Sequence, residues 1–243
     1  MIIQKFGGIA MKDHAMRMKC IEHIKRGIEQ NGKVVIVVSA IGRLGDPYAT
    51  DSLLSLSKGF YADLAARDLA AACGELIATA VLSAELNKYG INNTFLHGIQ
   101  AGILTAGDFG DARIAHIDPT NIRSCLAEMD CVIIPGFQGM DKRGNIMTLG
   151  RGGSDLTAVS LATALQASHA EFFKDVPGVM TGDPRNVANC QKLDSLEFDD
   201  FLRLLDCERP IIQLRAALHA KEMALPLYIR GIAGTEEGTW ITP

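Results

Sequence analysis

The 243-residue chain has no apolar run approaching the roughly 20 residues needed to span a bilayer; its longer ones, such as Val34 to Val38, are short. Membrane association is therefore not expected. A basic excess is also missing: 24 Lys and Arg stand against 28 Asp and Glu, giving a formal charge of −4. Without it, and without a dense Lys/Arg block, the electrostatic footprint of a nucleic-acid binder is absent. The six cysteines (Cys20, Cys73, Cys125, Cys131, Cys190 and Cys207) form no CxxC pair, and no histidine stands near one at zinc-ligand spacing. No metal centre is expected from them, and they read as reduced thiols of a cytoplasmic protein. Repeats and low-complexity linkers are lacking too. The opening Met1 to Gln4 meets Lys5 and two glycines at once, so it reads as a first strand rather than a signal peptide.

What is present suits a folded α/β chain. With 48% hydrophobic residues and a mean hydropathy of +0.14, the chain can fill a sizeable core, and a single domain over residues 1–243 is expected. The β-branched run Val34 to Val38 reads as a strand covered on both faces. Similar runs recur at Met1 to Gln4, Cys131 to Pro135, Glu171 to Phe173 and Leu227 to Ile229. Between them helical spacing places Met16, Ile21, Ile24 and Ile28 on one face before Gly32, and Leu76, Ala80, Leu82 and Leu86 on another before Gly90. Further helices are predicted over Ser154 to Gln166, Glu197 to Leu205 and Leu214 to Met223. Strands alternating with helices predict a mostly parallel sheet between helical layers. Asp141-Lys142-Arg143-Gly144 reads as a hairpin turn, which makes part of that sheet antiparallel.

In such sheets ligands bind beyond the carboxyl ends of strands, so glycine-rich strand-to-helix loops are where chemistry is sought. Lys5-Phe6-Gly7-Gly8 is one: its glycines let backbone N–H groups approach an anion beside the compact charge of Lys5, or simply make a tight turn. Gly150-Arg151-Gly152-Gly153-Ser154-Asp155 is the other, and it opens a helix whose free N–H groups and positive dipole end favour phosphate. Ser154 also suits a plain N-cap there. Neither loop is a Walker A sequence, no G-x-G-x-x-G occurs, and the protein-kinase motifs are missing.

Together these motifs resemble the aspartokinases of the amino-acid kinase family, over nearly the whole chain. Lys5-Phe6-Gly7-Gly8 is similar to that family's KFGG, Val37-Val38-Ser39-Ala40 to its VVSA, Gly74-Glu75 to its GE, and Phe109 to Ile114 to its FGNARI segment. Gly136 to Gly139, Leu149 to Asp155 and Asp175 to Arg185 follow in the same order, and Gly45 to Leu54 resembles the diaminopimelate-sensitive isozymes. The resemblance implies a three-layer αβα sandwich of the carbamate-kinase type. It also implies ATP with Mg²⁺ as donor and L-aspartate as acceptor, giving 4-phosphoaspartate on the way to lysine, threonine and methionine. By position, Lys5, Phe6, Gly7 and Gly8 would hold the phosphates, with Lys5 stabilising the moving group and Asp155 organising Lys5 or Mg²⁺. Ser39, Thr50, Glu75 and Arg113 would form the amino-acid site, Ser39 also falling among the nucleotide contacts. Arg151, Gly152, Gly153 and Ser154 would border the transfer point, and Asp175, Val179, Asp183 and Arg185 would lie along the nucleotide.

The sequence also departs from that pattern. Ile9-Ala10 replaces the usual Thr-Ser after KFGG, Lys174 stands where the nucleotide loop reads TDV, and Pro210 replaces a lysine expected near the ATP phosphates. Lys174 or Arg209 is expected to supply the missing cation. The chain stops where the kinase domain of an aspartokinase would end, so no ACT domains are expected, and a separate regulatory subunit is open. A homodimer is expected from the resemblance. Alternative readings are a kinase for another small carboxylate or amino acid, and a non-catalytic partner subunit.

Overall fold

A computed structural model describes residues 1–56, 63–182, 189–205, 210–234 and 236–243. The elements run β1 (Ile2–Phe6), α1 (Gly8–Met11), α2 (His14–Asn31), β2 (Val34–Val38), α3 (Thr50–Ser55), α4 (Leu64–Lys88) and β3 (Asn93–Phe95). After a 3-10 turn at Gly98–Ala101 come β4 (Ile103–Ala106), β5 (Arg113–Ile117), α5 (Thr120–Glu128), β6 (Cys131–Pro135), β7 (Gln138–Met140) and β8 (Ile146–Thr148). The rest are α6 (Gly153–Leu165), β9 (Ala170–Lys174), β10 (Ser195–Glu197), α7 (Phe198–Leu204), α8 (Leu214–Glu222), β11 (Leu227–Gly231) and β12 (Thr239–Thr242).

Eight strands form the main sheet in the order β10-β12-β11-β9-β1-β2-β6-β3, parallel except for the β11–β12 pair. The central strands β1, β2 and β6 are buried along their whole length, which is why they read as continuous apolar runs instead of alternating ones. Alternation survives in the third dimension. Ile3, Val35, Val37, Val132 and Ile134 join α5, α6, α7 and α8 in one apolar cluster. Ile2, Val34, Ile36, Val38 and Ile133 join α2 and α4 in the other. The two clusters are the two interfaces of the predicted three-layer αβα sandwich, and each fully buried Val or Ile adds about 1.5–3 kcal/mol to it.

The same period of two fixes where the charged residues at the strand ends point. Lys5 follows Ile3 onto the α6 face of β1, and Lys174 follows Ala170 and Phe172 onto that face of β9. The register of the two parallel strands, Ile3↔Ala170 through Phe6↔Phe173, sets both lysines at the same edge of the sheet.

Two predicted features are corrected. The Asp141–Gly144 hairpin does form, with Gln138↔Thr148 and Met140↔Ile146 paired antiparallel. However, it belongs to a separate four-stranded sheet, β5-β4-β7-β8, and not to the main one. The chain leaves the main sheet at Gly136-Phe137, where Phe137 takes a positive φ of 71°. The helix read around Leu76 to Leu86 begins much earlier, at Leu64. At 25 residues α4 is long and apolar enough to cross a membrane by length and composition, although none of its apolar runs is continuous enough to show this in sequence. It packs on β2, β3, β6 and β8 and carries two buried carboxylates, Asp68 and Glu75. That is the pattern of a core helix.

Candidate active site

The carboxyl ends of β1 and β2, the start of α6 and the inner face of α4 enclose a cleft of about 690 Å³. Both glycine-rich loops reach it. Lys5 is the last but one residue of β1, and the chain turns at Gly7 into the single-turn helix α1. A side chain at Gly8 would press on the Ala40 carbonyl oxygen, 2.7 Å from where its Cβ would stand, so the Gly8 backbone can approach the loop after β2 only without one. The Gly42 N–H donates to the Gly8 carbonyl at 2.9 Å, and the Ser39 N–H to that of Phe6 at 3.0 Å, locking the two strand ends together.

At the other loop Gly152 takes φ +75°, the left-handed region, and a Cβ there would run into Gln213. The following Gly153 and Ser154 begin α6, with Asp155 in its first turn. The Lys5 ammonium lies 2.7 Å from Asp155 Oδ1, and the Lys174 ammonium 3.8 Å from Asp155 Oδ2. The Gln213 N–H donates to that second oxygen at 3.3 Å. Burial alone would raise the Asp155 carboxyl, but the charges of Lys174 and Lys5 overcome it and hold the pKa down at about 2. Burial lowers Lys174 to about 8 against the pull of Asp155, with Lys5 adding repulsion.

The opposite wall is built by α4. Gly74 lets this helix come close to the loops after β2, since a Cβ there would stand 2.7 Å from that of Ala40. Glu75 is buried, and its Oε1 accepts the Ala40 N–H at 3.1 Å. Its Oε2 is buried with no hydrogen-bond partner among the described residues. Burial pushes this carboxyl up to about 8, only partly opposed by its backbone hydrogen bonds and by Lys5. A neutral carboxyl at the bottom of a cleft becomes a carboxylate when a cation arrives to pair with it.

Sequence reasoning missed Asp68. Its Oδ2 accepts the backbone N–H of Gly110 at 3.0 Å and of Thr148 at 2.7 Å, and its Oδ1 accepts the Thr148 hydroxyl at 2.9 Å. One buried carboxylate therefore fastens the Phe109-Gly110 loop to β8 and so fixes the outer wall of the cleft. The signal was there: Asp68 and Glu75 are about two helical turns apart, on one face of α4.

Lys5, Ser39, Thr50, Glu75, Arg151, Gly152, Gly153, Ser154 and Asp155 thus line one cleft. Four other predicted residues are placed elsewhere or differently. Arg113 is exposed at the start of β5 and does not line the cleft. It faces a separate groove of about 500 Å³ shared with His116, Arg215 and His219. The cause is local: the Phe109–Asp111 turn is anchored inward by Asp68 and outward by Arg215, whose Nη1 reaches Asp111 Oδ1 at 2.7 Å. Arg67, beside Asp68, contributes to the cleft lining with Arg151. Val179 is packed in the core, its N–H donating to the Thr239 hydroxyl at 2.9 Å. Asp175 follows β9 and meets Arg43 at 3.3 Å on the surface. Lys174 stands behind Asp155 rather than out along a nucleotide loop. Asp183, Arg185 and Arg209 lie outside the described residues.

Residues 1–231 match the family model for the amino acid kinase family. The chain belongs to that family. Among relatives of this amino acid kinase, Aspartokinase 1 of Bacillus subtilis (strain 168) is 40% identical over 243 residues, which is 99% of this chain and 60% of that protein. The chain therefore spans about 60% of the length of this curated relative. The aspartate kinase structure from Synechocystis superposes with a TM-score of 0.82 at 32% identity, covering 99% of this chain and 40% of that one. E. coli aspartokinase III, in complex with aspartate and ADP, gives a TM-score of 0.84 at 22% identity over 100% of this chain and 64% of that one. This last likeness is one of fold alone.

Proposed function

We propose that this amino acid kinase transfers the γ-phosphoryl group of ATP to the side-chain carboxylate of L-aspartate. The observation that carries the reading is the pairing of two buried carboxylates across one cleft. Asp155 holds Lys5 at the mouth of both glycine loops, and Glu75 waits with an unpartnered oxygen at the acceptor end. Aspartokinase relatives at 40% and 38% identity support the choice of acceptor.

In this reading the ammonium of the amino acid enters against Glu75 and converts it to the carboxylate. Arg151, at the rim, pairs with the α-carboxylate; Arg113 would take that role only if the Phe109–Asp111 turn moved inward. A side-chain oxygen of aspartate then forms a bond to the γ-phosphorus. As it does so, the bond from that phosphorus to the bridging oxygen breaks, and its electron pair leaves with ADP. The acceptor, with a reference pKa near 3.9, is already ionised at neutral pH, so no proton is moved and no general base is required. The catalytic task is bringing two anions into line, which falls to Lys5, the α6 N-terminus and the glycine N–H groups. Among the described residues no cluster of three His, Cys, Asp or Glu is assembled. That donor set fits a Mg²⁺ ion carried in on the phosphates, with at most a carboxylate such as Asp155 nearby. Bound there, the ion would neutralise charge on the β- and γ-phosphates.

Phosphorylation of L-aspartate, trapped as the hydroxamate, tests the reading. Turnover that requires ATP and Mg²⁺ and disappears in Lys5→Ala is the expected result. No turnover from folded wild-type protein would reject aspartate as acceptor. Ile9-Ala10, which brings no hydroxyl to α1 after Gly8, favours trying other small carboxylates next. Homodimer formation belongs to the same proposal, and light scattering coupled to size exclusion measures it directly.

A further inference from the structure

We propose that Lys174, at the end of β9 and behind Asp155 at the edge of this cleft, is a second phosphate-contacting cation, released from Asp155 onto the γ-phosphoryl group of a bound nucleoside triphosphate. The inference rests on the kinase reading above. It starts from the geometry of one carboxylate shared by two ammonium groups: Lys5 at 2.7 Å on Oδ1 and Lys174 at 3.8 Å on Oδ2. The longer contact is the weaker tether, and the side chain is only partly buried, with 17% of it exposed. The cluster carries one net positive charge and sits against the first turn of α6, where the helix dipole already favours an anion. Among the described residues the next carboxylate, Asp175, is shared with Arg43, so the surplus is left for an arriving phosphate to neutralise.

Lys174 reaches this place because two parallel strands end side by side. Phe6 pairs with Phe173, so Lys174 lies one step beyond the register, level with Gly7 of the first glycine loop. Its stem runs along the Phe172 ring, with the ammonium 5.8 Å from the ring centre. The next residue, Asp175, faces the other way and meets Arg43 at 3.3 Å. Three segments therefore converge at one point: the end of β9, the Lys5–Gly8 loop and the loop after β2. The segment around Pro210 brings no cation of its own among the described residues, since Ile211, Ile212 and Gln213 complete it. Gln213 offers Asp155 only its backbone N–H.

The charged groups that act on Lys174 are Asp155 on α6, Lys5 on β1 and, from the Arg43 side, its chain neighbour Asp175. Arg230 on β11 lies on the opposite face, over Phe173 and Tyr228. With its pKa lowered to about 8 by burial, Lys174 begins to lose its proton in mildly alkaline solution, which Lys5 and Asp155 cannot replace.

The test compares Lys174→Met and Lys174→Arg with wild type in two readouts. Calorimetric binding of adenylyl imidodiphosphate and of ADP, each with Mg²⁺, requires no acceptor. Lys174→Met should weaken the triphosphate analogue about tenfold or more while changing ADP less than threefold, and turnover should fall on the order of 100-fold. Turnover of wild type should decline above about pH 8, and the decline should vanish in Lys174→Arg, whose guanidinium stays charged. Equal losses for both nucleotides, no loss for either, or an unchanged alkaline limb in Lys174→Arg would overturn the proposal. Should Lys174→Met fail to fold, the pH profile of Lys174→Arg still decides. A wild type that binds the triphosphate analogue but does not phosphorylate aspartate would count against the acceptor alone, and the nucleotide comparison would still judge Lys174.

Discussion

Asp155 and Glu75 approach one cleft from helices on opposite faces of the sheet, both are almost completely buried, and burial pushes both carboxyls upward. One ends near 2 and the other near 8. The difference lies in what each touches. Asp155 has two ammonium groups, while Glu75 accepts the Ala40 N–H and feels only a lesser pull from Lys5. The comparison teaches that this cleft is polarised along its length: a charge cluster already assembled where phosphate would arrive, and an uncharged carboxyl where the acceptor would bring its own cation. The first end is preorganised; the second would be completed by its ligand.

Breaking the assembled end should have the largest consequence. Lys5→Ala should reduce turnover by about 10²–10³-fold, read in the hydroxamate assay, while leaving the affinity for the acceptor much less changed. Asp155→Asn strands the buried Lys5 ammonium and the partly buried Lys174 beside it, so it should cost about 3 kcal/mol of stability as well as activity, measured by denaturant unfolding. The depressed pKa of Asp155 adds stability that is present above its ordinary value near 3.8 and disappears as pH falls towards 2. The Asn variant should lack that acid-side decline.

Asp68→Ala tests whether the outer wall needs its anchor. Leaving the Gly110 and Thr148 donors unsatisfied should cost about 1–3 kcal/mol and raise KM for the acceptor more than KM for ATP. Glu75→Gln sharpens the comparison from the other side: KM for aspartate should rise roughly tenfold, about the worth of a charged hydrogen bond, with little loss of stability. Because the Glu75 pKa is raised, wild type should lose stability as pH climbs from 4.5 through about 8, and Glu75→Gln should not. The smallest effect belongs to the exposed Arg43–Asp175 pair, where Arg43→Ala should change stability by less than about 1 kcal/mol.

Much of this polarity could be read from residue order. The buried strands β2 and β6 announced themselves as β-branched runs, α2 by its apolar stripe ending at Gly32, and the transfer end by two glycine loops around Lys5 and Asp155. The acceptor end was harder. The first half of α4 is a run of alanines with Arg67 and Asp68 inside it, and a helix packed between two sheets shows little amphipathic contrast. Its N-terminal turns were therefore unread, and Asp68 with them. The second sheet was missed because β4, β5, β7 and β8 are three to five residues long and β5 is largely exposed. Without that sheet the position of Arg113 could only be carried over from resemblance, and the tertiary anchors of Gly110 and Asp111 decided otherwise. The shared grip of Lys5 and Lys174 on Asp155 depends on parallel register between strands far apart in sequence, which no local pattern encodes.

The most direct test of the polarised cleft is the number of protons released when aspartate binds. Calorimetry at pH 7 in two buffers of different ionisation enthalpy measures it. Wild-type protein should release close to one proton per aspartate as Glu75 ionises against the incoming ammonium, and Glu75→Gln should release none. Binding without proton release in the wild type would contradict the assignment of Glu75 as the uncharged acceptor end.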